Sequence, residues 1–341
     1  MAFVLRTMLT LTQFPPLDEL LRVLTQTFGT EACLDQDADR ALKRGARSAS
    51  WCPWPMRTIG LFLEGASTRG TEIDLRRDAE GIEVRLTQHT LGTWSDWRLT
   101  LETAIHLAER ADGYVTLQGG GRVATSSLRR RYIEETEQYD AELLAGLQAV
   151  RSAVEDQGRT LRLGGPRGVA AVGPRIWGRV LDLAAEEPED QAEALVDMIL
   201  ASLEARGFEE FYPANLLCLD GRTGKEVLAS LLPPGVDTLL RDPEYVLVSR
   251  NLEAGPEEPL LLLPFDAMEA AFPGRLHWLD DRTCAVPAID PQGWSVHMQR
   301  IEPMLTSLTE LLDGTAEDDP EAWRRFVPDT DPSGGTGSRQ P

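Results

Sequence analysis

The sequence predicts an α+β fold: two mixed α/β domains carrying antiparallel hairpins. Three observations predict it. The chain has 341 residues, beyond the roughly 250–300 at which a single core divides. Short apolar runs alternate with polar residues at period two and close on Gly, Pro or Asp, the pattern of hairpin strands. Between them apolar residues recur three and four apart, the pattern of amphipathic helices.

Each element follows in chain order. Residues 3–12 alternate as a strand. Pro15-Pro16 opens a helix, because proline is tolerated in a first turn; Leu17, Leu20, Leu21, Leu24 and Phe28 share its face and Gly29 ends it. Residues 31–50 are charged and irregular, an exposed loop or a short helix. Residues 58–63 form a strand, and 72–75 pairs with 82–86 across the turn 78–81. A helix covers 99–111 and buries Leu101, Ala104, Ile105 and Ala108. A strand follows at 114–117, broken by Gly119-Gly120-Gly121, and then a polar helix over 127–156.

Glycines at 158, 164, 165 and 168, with Pro166, mark a connection. The expected division is therefore 1–157, an N-terminal α+β domain, 158–314, an acidic C-terminal one, and 315–341, a Gly/Ser/Pro-rich tail that cannot bury a core. In the second domain 169–176 is a strand. Acidic 186–190 leads a helix through Leu203, complementing its dipole. Hairpins pair 215–219 with 226–231 and 275–279 with 284–286. Strands cover 245–249 and 260–263, a short helix 266–272, and a last helix runs from Ile301 to Gly314. The common order of elements suggests distantly related halves.

Charge is the most informative bulk property. Asp plus Glu number 55 against 34 Lys plus Arg, a net −21. Residues 1–157 hold 23 acids and 18 bases, the remainder 32 and 16, so the C-terminal part carries −16 of the total. Such a field repels nucleic acid and anionic membrane and attracts basic proteins. With 42% hydrophobic and 26% charged residues the composition is that of a globular protein. Cys33, Cys52, Cys218 and Cys284 lie far apart, without C-x-x-C, which predicts reduced thiols rather than a disulfide or zinc framework. The apolar start is interrupted at Gln13 and Pro15, against a signal peptide, and no run reaches the length of a membrane span. A cytoplasmic location is expected.

Catalytic motifs are sparse. Gly224-Lys225 fails as a phosphate loop, because Leu219 stands where the first glycine belongs and Glu226 where Ser or Thr must hold magnesium. Gly119-Gly120-Gly121-Arg122 lacks the dinucleotide spacing. His89, His106, His277 and His297 form no H-E-x-x-H, and no G-x-S-x-G occurs. Arg129-Arg130-Arg131 is explained by Glu134 and Glu135 one turn on. The one candidate catalytic group is His277 with Asp280 and Asp281, a possible general base or metal ligand set. Trp51, Trp54, Trp94 and Trp97 are candidates for a partner surface, since tryptophan is enriched at interface hot spots.

These readings converge on a non-catalytic, cytoplasmic protein-binding protein that engages a basic partner, an immunity-type or adaptor role without a cofactor. The alternative is a hydrolytic or metal-assisted enzyme at His277, Asp280 and Asp281.

Overall fold

The computed structural model describes residues 2–46, 49–184, 187–220, 226–249 and 261–313. The class is α+β. Contacts divide the chain into unit 1, Met1–Gly207 with Leu279–Asp281, and unit 2, Phe208–Trp278 with Arg282–Pro341. The boundary expected at 157 falls inside unit 1. Its glycine cluster is the tip of a tight hairpin whose strands pack on the unit's own helices. The tail at 315–341 lies outside the described residues, as does the turn at 221–225 with Gly224-Lys225.

Unit 1 is built on a seven-stranded antiparallel sheet. In chain order its elements are β1 Ala2–Leu9, α1 Leu17–Phe28, β2 Ala32–Leu34, α2 Gln36–Lys43, β3 Thr58–Leu63, β4 Thr71–Arg77, β5 Ile82–His89, α3 Trp94–Glu109, β6 Tyr114–Leu117 and β7 Arg122–Ala124. The strand order is β2-β3-β4-β5-β1-β6-β7. Alternation decides which face is buried. Leu5, Ile73, Val84, Leu86 and Val115 turn inward against α1 and α3, while the residues between them face the other side.

The remaining elements of unit 1 are α4 Thr125–Arg129, α5 Glu137–Arg151, a hairpin of β8 Leu161–Gly165 and β9 Gly168–Val172, α6 Pro174–Leu183 and α7 Pro188–Glu204. They enclose a second cluster around Leu147, Val172, Trp177, Leu195 and Ile199. Three sequence expectations change here, and one resolves. Of the two alternatives for 31–50 the structure has the short helix, α2, which starts where the Asp35 carboxylate accepts the Asp37 and Ala38 amides; the strand β2, paired with β3, is an addition. The helix expected at 99 begins at Trp94, on a capping box of Thr93 and Asp96. The polar helix 127–156 is two helices, with π-helical turns at Arg130–Glu134 and Ser152–Asp156. The strand at 169–176 stops at Val172, and Pro174, suited to a first turn, opens α6.

A buried carboxylate ties the sheet to α3. Asp96 has no exposed surface. Its Oδ2 accepts the amides of Thr68, Arg69 and Thr93 and the Thr68 hydroxyl, and its Oδ1 accepts the Gly70 amide at 2.8 Å. Gly70 is required there: its φ is +61° and a Cβ would sit 2.2 Å from the Leu61 carbonyl oxygen. Arg69 is buried beside the carboxylate and donates to the carbonyls of Gly164 and Thr90. Burial lowers its pKa to about 10, opposed by Asp96.

Unit 2 holds two mixed sheets. Its elements are β10 Tyr212–Pro213, β11 Leu216–Asp220, β12 Glu226–Leu231, β13 Thr238–Arg241, β14 Tyr245–Val248, β15 Leu261–Pro264, α8 Met268–Ala271, β16 His277–Trp278, β17 Thr283–Val286, α9 Pro291–Ile301, β18 Thr306–Ser307 and α10 Leu308–Asp313. The orders are β10-β13-β17-β16 and β11-β12-β14-β15-β18, with parallel pairing of β12 to β14 and β10 to β13. Both expected hairpins are present, β11–β12 and β16–β17. The single last helix is replaced by α9, which starts at the Asp290 cap and Pro291, and by α10; between them Pro303 sits in a 3-10 turn. Strand order and pairing differ between the units, so the likeness of the halves does not extend to topology.

Candidate functional site

The candidate catalytic residues fall in different units, and the aspartates have structural partners. Asp280 is buried and accepts the Ser202 hydroxyl at 2.5 Å and the Ala171 amide at 3.2 Å. Asp281 accepts the amides of Gly173, Arg175 and Ile176 at 2.7, 2.9 and 3.0 Å. These are the orphan donors at the start of α6, whose own N-cap is Gly173 and has no side chain to offer. A carboxylate from 108 residues away fills that role and complements the helix dipole. Both aspartates belong to unit 1, whereas His277 belongs to unit 2. His277 lies exposed on β16 with its ring 5.3 Å from that of Phe208. The sequence placed the three together through proximity in the chain; the fold assigns the aspartates to backbone amides. Among the described residues no group of three or more His, Cys, Asp or Glu is arranged to hold a metal ion.

The tryptophans correct a second expectation. Trp54 and Trp97 are each 2% exposed and are core residues. The Trp54 Nε1–H donates to the Pro15 carbonyl at 3.0 Å, and its ring meets Phe14 edge-on. The Trp97 Nε1–H donates to the Tyr132 carbonyl at 2.8 Å, and its ring lies 4.7 Å from Phe3. Trp51 and Trp94 are half-buried, the first under Arg57 and the second against Tyr139. Four rings with two inside the core do not make a docking face.

The basic motifs are also accounted for. Arg129 grips the buried Glu102 through both terminal guanidinium nitrogens, at 2.7 and 2.9 Å, a tertiary pair outside the i,i+4 spacing expected for Arg130 and Arg131. Gly119-Gly120-Gly121 is the turn between β6 and β7, and Arg122 pairs with Asp112 and lies over the Tyr114 ring.

What persists is charge. Division by contacts redistributes it: over the full sequence unit 1 has 33 acids against 24 bases and unit 2 has 22 acids against 10 bases. The net is −9 in unit 1 and −12 in unit 2, so the excess is not confined to the C-terminal half, and the ratio of acids to bases is steeper in unit 2. Arg282 is committed there to Asp242 at 3.0 Å and Asp266 at 2.7 Å. Other carboxylates in unit 2 accept amides: Asp290 at the start of α9, Glu244 from Leu228, Asp237 from Ala288. Such bonds satisfy lone pairs and leave the charge in place. Glu209, Glu210, Glu226, Glu302 and Glu310 are exposed. Ten basic residues cannot neutralise twenty-two carboxylates whatever the pairing, so unit 2 carries a net negative charge.

Comparison of the chain with protein-family models, with curated proteins and with solved structures returned no match.

Proposed function

We propose that this chain is a non-catalytic, cytoplasmic protein-binding protein of immunity or adaptor type, and that unit 2 docks a basic protein partner. The observation that carries the reading is the 22-to-10 ratio of acids to bases in unit 2. Complementary charge raises encounter rates and selects against acidic competitors. The enzyme reading has less support, because the Asp280 and Asp281 carboxylates are occupied by amides and the Ser202 hydroxyl.

The test is comparative. One variant neutralises Glu209, Glu210, Glu302 and Glu310 in unit 2 as Gln; a second neutralises Glu80, Glu134, Glu135 and Glu137 in unit 1. Partners captured from host lysate by the unmodified chain are identified by mass spectrometry and their affinities measured at low and high salt. The unit 2 variant loses about tenfold or more, the unit 1 variant little, and affinity falls steeply with salt. A captured partner whose affinity is insensitive to salt, or equally sensitive to both variants, refutes the reading.

A further inference from the structure

The outward face of the unit 1 sheet carries a charge arrangement opposite in sign to the rest of the molecule. Following strand register, one row runs Thr58, Asp74, Arg85, Arg6, Thr116 and Arg122 across β3, β4, β5, β1, β6 and β7. The ends of the row are satisfied. Asp74 accepts Arg76 Nε at 2.7 Å and the Thr58 hydroxyl at 3.4 Å, and Arg122 is held by Asp112. In the middle Arg6 and Arg85 are direct cross-strand partners. Among the described residues neither forms an ion pair or a side-chain hydrogen bond, and the Arg85 Nε is buried without an acceptor.

Directly opposed residues in an antiparallel pair have Cβ atoms about 5 Å apart, and like charges there destabilise the sheet. Among the described residues no carboxylate pairs with either arginine. Asp74, the register neighbour of Arg85, faces Arg76 instead; Glu83 lies opposite Arg76, and Glu72 lies 3.8 Å from His89. A buried donor without an acceptor marks the place of an absent one. Arg6 is exposed and Arg85 half-buried, so both guanidinium groups are open to a ligand from solvent; two guanidinium groups on neighbouring strands suit an oxyanion of charge −2 better than a single carboxylate of charge −1.

We propose that Arg6 and Arg85 form a binding site for a phosphate monoester, with the hydroxyls of Thr87 and Thr116 on the same face beside them. The acids in the adjoining rows, Glu72 and Glu83, admit a compact phosphate and repel a polyanionic strand.

The experiment titrates the full chain with inorganic phosphate, with O-phosphoserine and with a single-stranded oligonucleotide at constant ionic strength. Calorimetry reads affinity and thermal unfolding reads stability. Phosphate and phosphoserine bind and raise Tm over chloride, and Arg6→Gln or Arg85→Gln weakens both by at least about tenfold. Removing one of two opposed cations leaves Tm without phosphate unchanged or higher, which shows that each variant folds. Equal phosphate affinity in the variants and the unmodified chain, or no binding at all, overturns the proposal. So does oligonucleotide binding tighter than phosphoserine that is lost in the same variants.

Discussion

Replacement of Asp281 separates a structural carboxylate from a catalytic one. Its two oxygens accept three amides at the first turn of α6, at 2.7, 2.9 and 3.0 Å. Loss of an ordinary N-cap costs about 1 kcal/mol, and a hydrogen bond to a charged acceptor contributes roughly 1.5–3 kcal/mol. Asp281 is half-buried, so water recovers part of what is lost. Asp281→Ala is therefore expected to cost about 3 kcal/mol, and Asp281→Asn, which keeps one acceptor, roughly half of that. With a urea m-value of ~2 kcal/mol/M, the alanine variant moves the midpoint of unit 1 down by about 1.5 M. Hydrogen exchange localises the effect, with protection lost first in the peptide spanning 173–183. Gly173→Ala is an independent route to the same defect, since a Cβ there lies 2.9 Å from the Asp281 carboxylate carbon and 2.5 Å from Thr160 Oγ1. A catalytic carboxylate behaves in the opposite way, because its removal commonly leaves stability unchanged or raised. A midpoint shift below about 0.25 M for Asp281→Ala, near 0.5 kcal/mol, would refute the capping argument and restore the residue as a functional candidate.

Asp96→Asn is expected to destabilise unit 1 by about 3–5 kcal/mol, because the new amide group turns its own donors toward backbone donors and leaves buried Arg69 without its counter-charge; a denaturation midpoint matching the unmodified chain would contradict this. Acid sensitivity follows from three histidines. His89, His106 and His297 have pKa values held below the ordinary 6.5, first by burial and then by Arg69, Arg110 and Arg275 respectively. They are neutral when folded and take up protons near pH 6.5 when unfolded, so stability is full above about 6.5 and falls as pH drops from there toward the folded values. A Tm profile from pH 7.5 to 5 checks this, and substitution of all three by Gln flattens it; an unchanged slope in the triple variant would disprove the assignment.

Legibility in the sequence tracked the range of the forces involved. The helix at 17–28 was legible because one face, a proline start and a Gly29 stop are all local signals, and the structure ends it at that glycine with φ +69°. The pairing of β4 with β5 was legible because alternation and turn chemistry suffice. The start of α3 lies five residues before Leu99, at a capping box of Thr93 and Asp96 whose aspartate departs from the usual Glu or Gln. The role of Asp281 was not legible at all. Nothing local distinguishes a carboxylate that will cap a helix 108 residues upstream from one that will hold a proton or a metal. Arg129 follows the same rule, taking Glu102 at 27 residues' distance. The opposition of Arg6 and Arg85 likewise appears only once register joins the first strand to the fifth.

The same long-range step explains why composition misplaced the domain boundary. Unit 1 is not a contiguous stretch: it ends at Gly207 and regains Leu279–Asp281 after 71 residues that belong to unit 2. Those three residues supply the Ser202 partner, a backbone bond from the Asp281 amide to the Ala171 carbonyl, and the cap on α6. A linker between sequential domains is exposed and rich in glycine, and that criterion selected the β8–β9 turn. The excursion through unit 2 is bounded differently, on one side by the C-terminal end of α7 and on the other by a hairpin turn whose aspartates are buried or bonded. Neither end has the composition of a linker, because each is fixed by contacts within unit 1. A nested chain of this kind makes completion of unit 1 depend on residues far along the sequence, so its closure carries the loop entropy of the whole intervening segment. The carboxylates that looked like chemistry are the contacts that offset this cost.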